Sequence, residues 1–442
     1  MEDPRTLIRR TLRPFQAFLE TESASGVVLL AAAVFALAWA NSPWATSYFR
    51  LWETRISFAA ADFRLARSLH DWINDGLMVV FFFLVGLEIK RELLVGELAS
   101  PRRAAMPMAA ALGGMIVPAA LYLALNAGTP TARGWGIPMA TDIAFALGAL
   151  ALLGKRIPLA LKVFLAALAI VDDLGAVLVI ALFYTSDLSW VSLGIAALTF
   201  LALIGINRLD VRHPGAYGAI GVVLWLAFLE SGVHATIAGV LLALTIPART
   251  RIDGAAFVAE SRASLDEFEA AGGAMHGVLP NEAQQAALHR IEESAEAVQA
   301  PLQRLERGLQ GWVAFGIMPL FALANAGVAL GGDPAAFLHT PVTLGVMLGL
   351  VVGKPVGVLL FSWLAIHLGV ATTPAGVEPR HFIGVSLLAG IGFTMSLFIA
   401  NLAFGGTALL GAAKVGILAA SAIAGAAGLL VLARAGGRGA GA

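Results

Sequence analysis

Asp172 and Asp173 are adjacent in the apolar run LKVFLAALAIVDDLGAVLVIALFY, about fourteen residues beyond Pro158 and so near the middle of a helix. Successive helical residues differ by about 100°, so one carboxylate can face a cavity while its neighbour turns toward a packed helix and an internal partner. Two chemistries follow. Burial in low dielectric and mutual repulsion resist charging both groups at once, which makes a proton exchangeable at physiological pH. Carboxylate oxygens are also the ligands a small hard cation prefers. The same pair can therefore hold either a proton or a metal ion. A static pair of acids joined by hydrogen bonds between helices is the alternative, and the cost of two charges in such a place weighs against it.

Other ionisable residues lie at comparable depth. Lys354, in LGLVVGKPVGVLLF, is too deep to reach water with its side chain and needs a carboxylate or the carbonyl end of a broken helix; Asp172 or Asp173 is the obvious partner. In GWGIPMATDIAFALGALALLG, Pro138 and four glycines surround Thr141-Asp142, a stretch that can unwind around a cavity. Thr141 can then offer oxygen to a cation, while Asp142 either joins the ligands or sits against the positive amide ends of half-helices. A comparable break, or else a small-residue packing face, is readable at Gly390-Ile391-Gly392-Phe393-Thr394. Asp75 lies roughly 20 Å of helix from Glu88 and can guard one approach or serve as a hydrogen-bonded structural acid. Glu88, Arg91 and Glu92 share a helix face, where an interfacial salt-bridge cluster is expected. His234 reads as a satisfied buried histidine.

The elements that must hold these groups are membrane helices. The chain has 442 residues, 59% hydrophobic and 13% charged, against roughly 45–50% and 25% in soluble domains. A soluble enzyme is excluded by that balance. Equal numbers of basic and acidic residues, 29 each, provide no field for nucleic acid, and the absence of cysteine removes disulfide, thiolate and iron–sulfur chemistry. Twelve apolar spans are predicted, at 24–41, 69–95, 104–126, 131–153, 158–184, 190–207, 214–229, 233–247, 308–330, 341–368, 381–403 and 408–433. They are numbered 1 to 12 below. The fold class is thus all-α and polytopic, with spans 1–8 inside residues 24–247 and spans 9–12 inside 308–434. No cleavable signal is expected in the tail at 1–23. Lys and Arg number 21 on the side of the termini and 5 on the other, so both termini, including the short tail 435–442, are predicted to be cytoplasmic.

Two segments fall outside the bilayer. Residues 50–67, RLWETRISFAAADFRLAR, can make a short external hairpin or an irregular loop. Residues 248–307 carry six basic and ten acidic groups and read as a cytoplasmic insertion of solvated helices, with Asn281 and Gln284 spaced as a capping box.

The combination of motifs resembles the NhaA family of bacterial sodium/proton antiporters. It is carried by WINDGLMVVFFFLVGLEIKREL at 72–93, ATDIAFALGALALLGKRIPLALK at 140–162, AIVDDLGA at 169–176, SGVHATIAG at 231–239, GKPVG at 353–357 and GIGFTMSLFIA at 390–400. The resemblance implies a secondary transporter rather than an enzyme, with no cofactor, exchanging cytoplasmic Na⁺ or Li⁺ for external H⁺. It implies electrogenic, pH-regulated exchange by alternating access at a mid-membrane aspartate pair, and a role in pH homeostasis and salt tolerance. Asp173 becomes the principal cation ligand, Asp172 its partner and the ion-pair mate of Lys354, and Thr141 a neighbour of the cation. Asp142 and Lys354 compensate the helix ends of interrupted, crossing spans 4 and 11, and Asp75 lies in an access funnel. Spans 3–5 and 10–12 are implied to be inverted-topology repeats, a device of which this family is itself a standard example. Glu88, Arg91 and Glu92 resemble the pH-response cluster, together with Glu306. Arg307 and Gln310 stand where histidines can occur, which leaves the titrating groups open, and the connection at 248–307 is longer than the family pattern. The partners implied are Na⁺, Li⁺, H⁺, the lipid bilayer of a bacterial inner membrane, and a second copy joined through residues 50–67. A channel, or a transporter of another solute, is the nearest rival. An intramembrane aspartyl protease is more distant, since it needs its two acids on different, facing helices and a GxGD-type motif that is missing here.

Overall fold

The computed structural model describes residues 24–60, 63–185, 188–271, 281–330, 338–373 and 376–436. The expected tail at 1–23 and nearly all of that at 435–442 lie outside these, as does the tip of the segment at 50–67. Among the described residues, seven helices are long and apolar enough to cross a membrane: Leu69–Val95, Pro101–Asn126, Leu159–Phe183, Trp190–Arg208, Pro301–Asn325, Pro341–His367 and Leu409–Ala435. Three bent pairs bring the number to ten. Two shorter helices, Pro214–Leu229 and Ile237–Thr245, occupy the places expected for spans 7 and 8. The chain is an all-α polytopic membrane protein.

Two of the bent pairs are the interrupted helices. In span 4 a 3₁₀ segment, Pro130–Met139, leads through extended Ala140–Thr141 into the helix Ile143–Leu152, with a bend of 41°. Span 11 is divided into Pro379–Ala389 and Phe393–Phe404, bent by 40° at a break containing Gly390, Ile391 and Gly392. Fragmentary helices expose backbone groups that hydrocarbon cannot satisfy, so they persist only where protein supplies partners. Here the two breaks serve each other: the Asp142 amide donates to the Ile391 carbonyl at 2.7 Å, and Ser396 Oγ donates to the Ile137 carbonyl at 2.7 Å.

Small residues bring the surrounding spans close. Gly113 of span 3 and Gly357 of span 10 lie face to face, so that a Cβ on either would run into the other's backbone carbonyl. That contact requires glycine on both sides. Gly239 of span 8 rests in the same way on the backbone of Val79 and Phe83 in span 2.

Three spans contain a π-helical turn, at Trp72–Leu77, Val313–Ile317 and Gly349–Gly353. Span 9 also differs from expectation at its ends. Its helix begins at Pro301 and stops at Asn325, where 308–330 was expected, because the strongly amphipathic first turns extend a helix that hydropathy alone recognises only later.

Both segments expected outside the bilayer have regular secondary structure where described. Arg55–Ala60 and Phe63–Ser68 pair as antiparallel strands, Arg55 opposite Ser68, whereas residues 50–53 of the expected segment end the helix Ala45–Glu53. The polar insertion contains the helices Gly254–Ala271 and Glu282–Ala297. They run antiparallel, with Ser294 Oγ donating to Glu260 at 2.7 Å and Arg290 paired with Glu267. The capping box forms: Gln284 N donates to Asn281 Oδ1 at 2.8 Å, and Asn281 N donates to Gln284 Oε1 at 3.1 Å. The hairpin leads into the start of Leu69–Val95, whereas the insertion follows Ile246, whose carbonyl, like that of Leu244, accepts from Lys90 near the other end of that helix, so the two segments adjoin its opposite ends.

Candidate cation and proton site

Asp172 and Asp173 lie on Leu159–Phe183, both buried and on diverging faces, as their adjacency requires. Asp172 turns inward to polar partners. Its Oδ2 accepts from the Lys354 ammonium and from Thr141 Oγ1, the latter at 2.7 Å. Thr141 Oγ1 is also 2.9 Å from the Ala389 carbonyl; with one hydroxyl proton it donates to one of these acceptors at a time. Lys354 and Asp172 are fully enclosed, with side-chain exposures of 0% each. Lys354 Nζ donates in addition to the Met139 carbonyl at the end of the 3₁₀ half of span 4. A single ammonium thus answers both a carboxylate and the negative end of a half-helix.

Asp142 performs the opposite service. It is the N-cap of Ile143–Leu152, its Oδ1 accepting from Phe145 N at 3.0 Å. Its Oδ2 accepts from Thr394 N at 3.0 Å and from the Thr394 hydroxyl, at the start of Phe393–Phe404. One carboxylate therefore faces the positive ends of two half-helices, the second of the two roles open to it. Thr394 was named in the sequence only as part of a glycine-rich break. Its bond to Asp142 joins residues far apart in the chain, and no local pattern announces it.

Asp173 faces elsewhere. It lies in the wall of a cleft of about 60 Å³ shared with Ser25, Glu88, Asp142, Gln310 and Thr394, and its Oδ1 is buried without a hydrogen-bond partner. Asp172 Oδ1 likewise lacks one. Ser25, Glu88 and Gln310 stand at the ends of spans 1, 2 and 9 that adjoin the insertion face, so the cleft leads from that face inward to Asp173. A buried carboxylate oxygen without a partner is an acceptor that a proton or a hard cation can satisfy, and of the two aspartates Asp173 is the one that lines the cleft.

The remaining candidates separate into two outlying groups. Arg91 pairs with Glu306 of span 9 and, at 3.2 Å, with Glu92, whose Oε2 accepts from Glu97 N at 3.0 Å. Glu88, one helical turn before Arg91 and Glu92, also lines the cleft with Gln310, while Arg307 directly follows Glu306. Asp75 belongs to the other face, within the π-turn of span 2, where Arg67 from the hairpin approaches it at 3.6 Å and Trp225 Nε1 donates to its backbone carbonyl at 2.8 Å. His234 departs from expectation: its ring lies 5.2 Å from that of Phe398, and Nε2 is shut from solvent with no hydrogen-bond partner. The packing of SGVHATIAG as a turn before Ile237–Thr245 places the ring against an aromatic neighbour rather than a polar one.

Residues 16–432 match the profile of the family described as Na⁺/H⁺ antiporter 1. The chain is 52% identical over 425 residues to the Na(+)/H(+) antiporter NhaA of Oleidesulfovibrio alaskensis, covering 96% of this chain and 94% of the relative. It is 51% identical over 421 residues to the Na(+)/H(+) antiporter NhaA of Koribacter versatilis, covering 95% and 91%. With Na(+)/H(+) antiporter NhaA 2 of Syntrophotalea carbinolica it shares 50% over 428 residues, covering 96% and 97%.

Proposed function

The chain belongs to the Na⁺/H⁺ antiporter 1 family, and we propose that it exchanges cytoplasmic Na⁺, or Li⁺, for external H⁺ at Asp172 and Asp173. The observation that carries the reading is the division of labour between these neighbours. Asp172 is neutralised by Lys354, while Asp173 lines the cleft and holds a buried oxygen without a partner.

The cycle follows from competition for oxygen. A protonated Asp173 has little attraction for a cation; once it is deprotonated, its negative charge favours Na⁺, and bound Na⁺ in turn discourages reprotonation. Thr141 Oγ1 and freed oxygen of Asp172 complete the ligands when Lys354 moves off. Asp142 and Lys354 remain as the counter-charges that keep the broken spans 4 and 11 tolerable in the membrane. In the form described here the cleft faces the insertion side, which we assign to the cytoplasm from the Lys and Arg asymmetry. Rocking of spans 3–5 and 10–12, taken as inverted repeats, would present the site to the other side. Two protons for each Na⁺ would make the exchange electrogenic. Glu88, Arg91, Glu92 and Glu306 form the pH-responsive cluster at the cytoplasmic mouth, Asp75 borders the external approach, and the hairpin joins two copies in a bacterial inner membrane.

The test is a Na⁺-induced pH change in sealed proteoliposomes, comparing the unaltered chain with Asp173→Asn. The expected result is rapid alkalinisation or acidification, according to the direction of the Na⁺ gradient, and its loss in the variant. Unchanged exchange in Asp173→Asn would remove Asp173 from the site.

A further inference from the structure

On the hairpin side of the aspartate centre, three spans are tied together by one buried amide. Asn325, the last helical residue of span 9, is fully enclosed and engages both ends of its side chain. Its Oδ1 accepts from Asn401 Nδ2 at 2.8 Å and lies 3.0 Å from His70 Nε2, which must carry the ring proton to face an acceptor already bonded to an amide. Its Nδ2 donates to Asn74 Oδ1 at 3.2 Å and to the Phe321 carbonyl at 3.0 Å. His70 and Asn74 belong to the start of span 2 and Asn401 to the far half of span 11, so the knot joins spans 2, 9 and 11. Tyr48 steadies the end of span 9 from outside, its hydroxyl donating to the Leu323 carbonyl at 2.8 Å and accepting from Gly327 N at 3.1 Å.

An aromatic layer lies between this knot and the site. Phe398 is one helical turn beyond Thr394 and just short of a turn before Asn401, and its ring packs against Phe82, Phe321 and His234 at centroid distances of 5.4, 6.2 and 5.2 Å. None of Asn325, Asn74, Asn401 or Phe398 lines the cleft that reaches Asp173 from the opposite face. A path through the protein that is open at one end thus meets, at the other, a ring cluster capped by amide hydrogen bonds.

We infer that Asn325 with its partners His70, Asn74 and Asn401, lying over the Phe398 ring cluster, is the latch that closes the outer half of the exchange path. The inference rests on the alternating-access reading above. Neutral amides suit the role because water can take over each of their bonds in an open form, and because removing Asn325 leaves Asn74, Asn401 and His70 as buried polar groups whose lost bonds only water can replace. Asn401 Oδ1 is already buried without a partner, a group that gains when water enters. Closed and open arrangements of these spans can therefore be close in free energy, as a two-state element requires.

The chain contains no cysteine, so thiol probes can be used without background. A reporter is placed at Ala322→Cys, a fully buried position one turn inward of Asn325. A membrane-impermeant maleimide added from the outside should label it slowly, and at least tenfold faster once Asn325→Leu is added. In a second arm, Asn325→Cys with Asn401→Cys is bridged by a short, reducible bifunctional thiol reagent; exchange should fall at least tenfold on bridging and return on reduction. An unchanged labelling rate in a folded Asn325→Leu variant would overturn the latch, as would full exchange by the bridged protein. Should Asn325→Leu fail to fold, the bridging arm decides. Labelling reports the barrier whatever the cargo, so loss of Na⁺ exchange in the unaltered chain would count against the proposed function and leave the labelling rates to decide the latch.

Discussion

At the scale of single residues, the site is organised by what each charge is given to hold. Lys354 has the Asp172 carboxylate and the Met139 carbonyl, and Asp142 has the amides of two half-helices. Removing Lys354 leaves Asp172 as a charge enclosed without its counter-ion, so Lys354→Ala should lose roughly 3–5 kcal/mol of stability. The check is the melting temperature in detergent, which should recover when Asp172→Asn is added, because the variant pair no longer buries an unpaired charge. Asp142→Ala uncaps both half-helices, each cap being worth about 0.5–2 kcal/mol, and should lower the same melting temperature; Asp142→Asn, which keeps one acceptor, should lower it less.

At the scale of elements, the interrupted spans work only if the continuous ones come close enough to clamp them. Gly113→Ala and Gly357→Ala should each separate spans 3 and 10 and reduce the yield of folded protein. The double variant should be less harmful than the sum of the two, since both insert a methyl into one contact. This scale also shows where sequence reading reaches and where it stops. Continuous spans are legible because apolar length is their physical requirement, and the break at Thr141-Asp142 is legible because proline, glycine and an acid are costly together in a membrane helix. The π-turn at Gly349–Gly353 is not: it shifts hydrogen bonds by one residue without altering hydropathy, yet it immediately precedes Lys354. Asp172-Asp173 stood out by charge alone, but the choice of Asp172 as the partner of Lys354 depends on how span 5 is rotated, which local pattern leaves open. Asn325, a neutral residue in an unremarkable FALANAG stretch, carried no signal at all; its role appears only when spans 2, 9 and 11 are brought together.

At the scale of the whole molecule, the hairpin and the insertion adjoin opposite ends of span 2, and the cleft is lined by Glu88 at the insertion end. Replacing residues 56–66 by a short Gly-Ser turn should convert the proposed dimer to a monomer by mass in detergent while sparing exchange, since no residue of the aspartate site lies there; a dimer of unchanged mass would place the interface elsewhere. The central claim is that protons and Na⁺ occupy the same carboxylates in turn. Titration calorimetry of Na⁺ binding across a series of pH values, repeated in buffers of different ionisation enthalpy, measures this directly. Protons should be released as Na⁺ binds, and affinity should strengthen as pH rises through the titration of the site, by about tenfold per pH unit for each proton displaced. Na⁺ binding that releases no proton and keeps one affinity at every pH would contradict it.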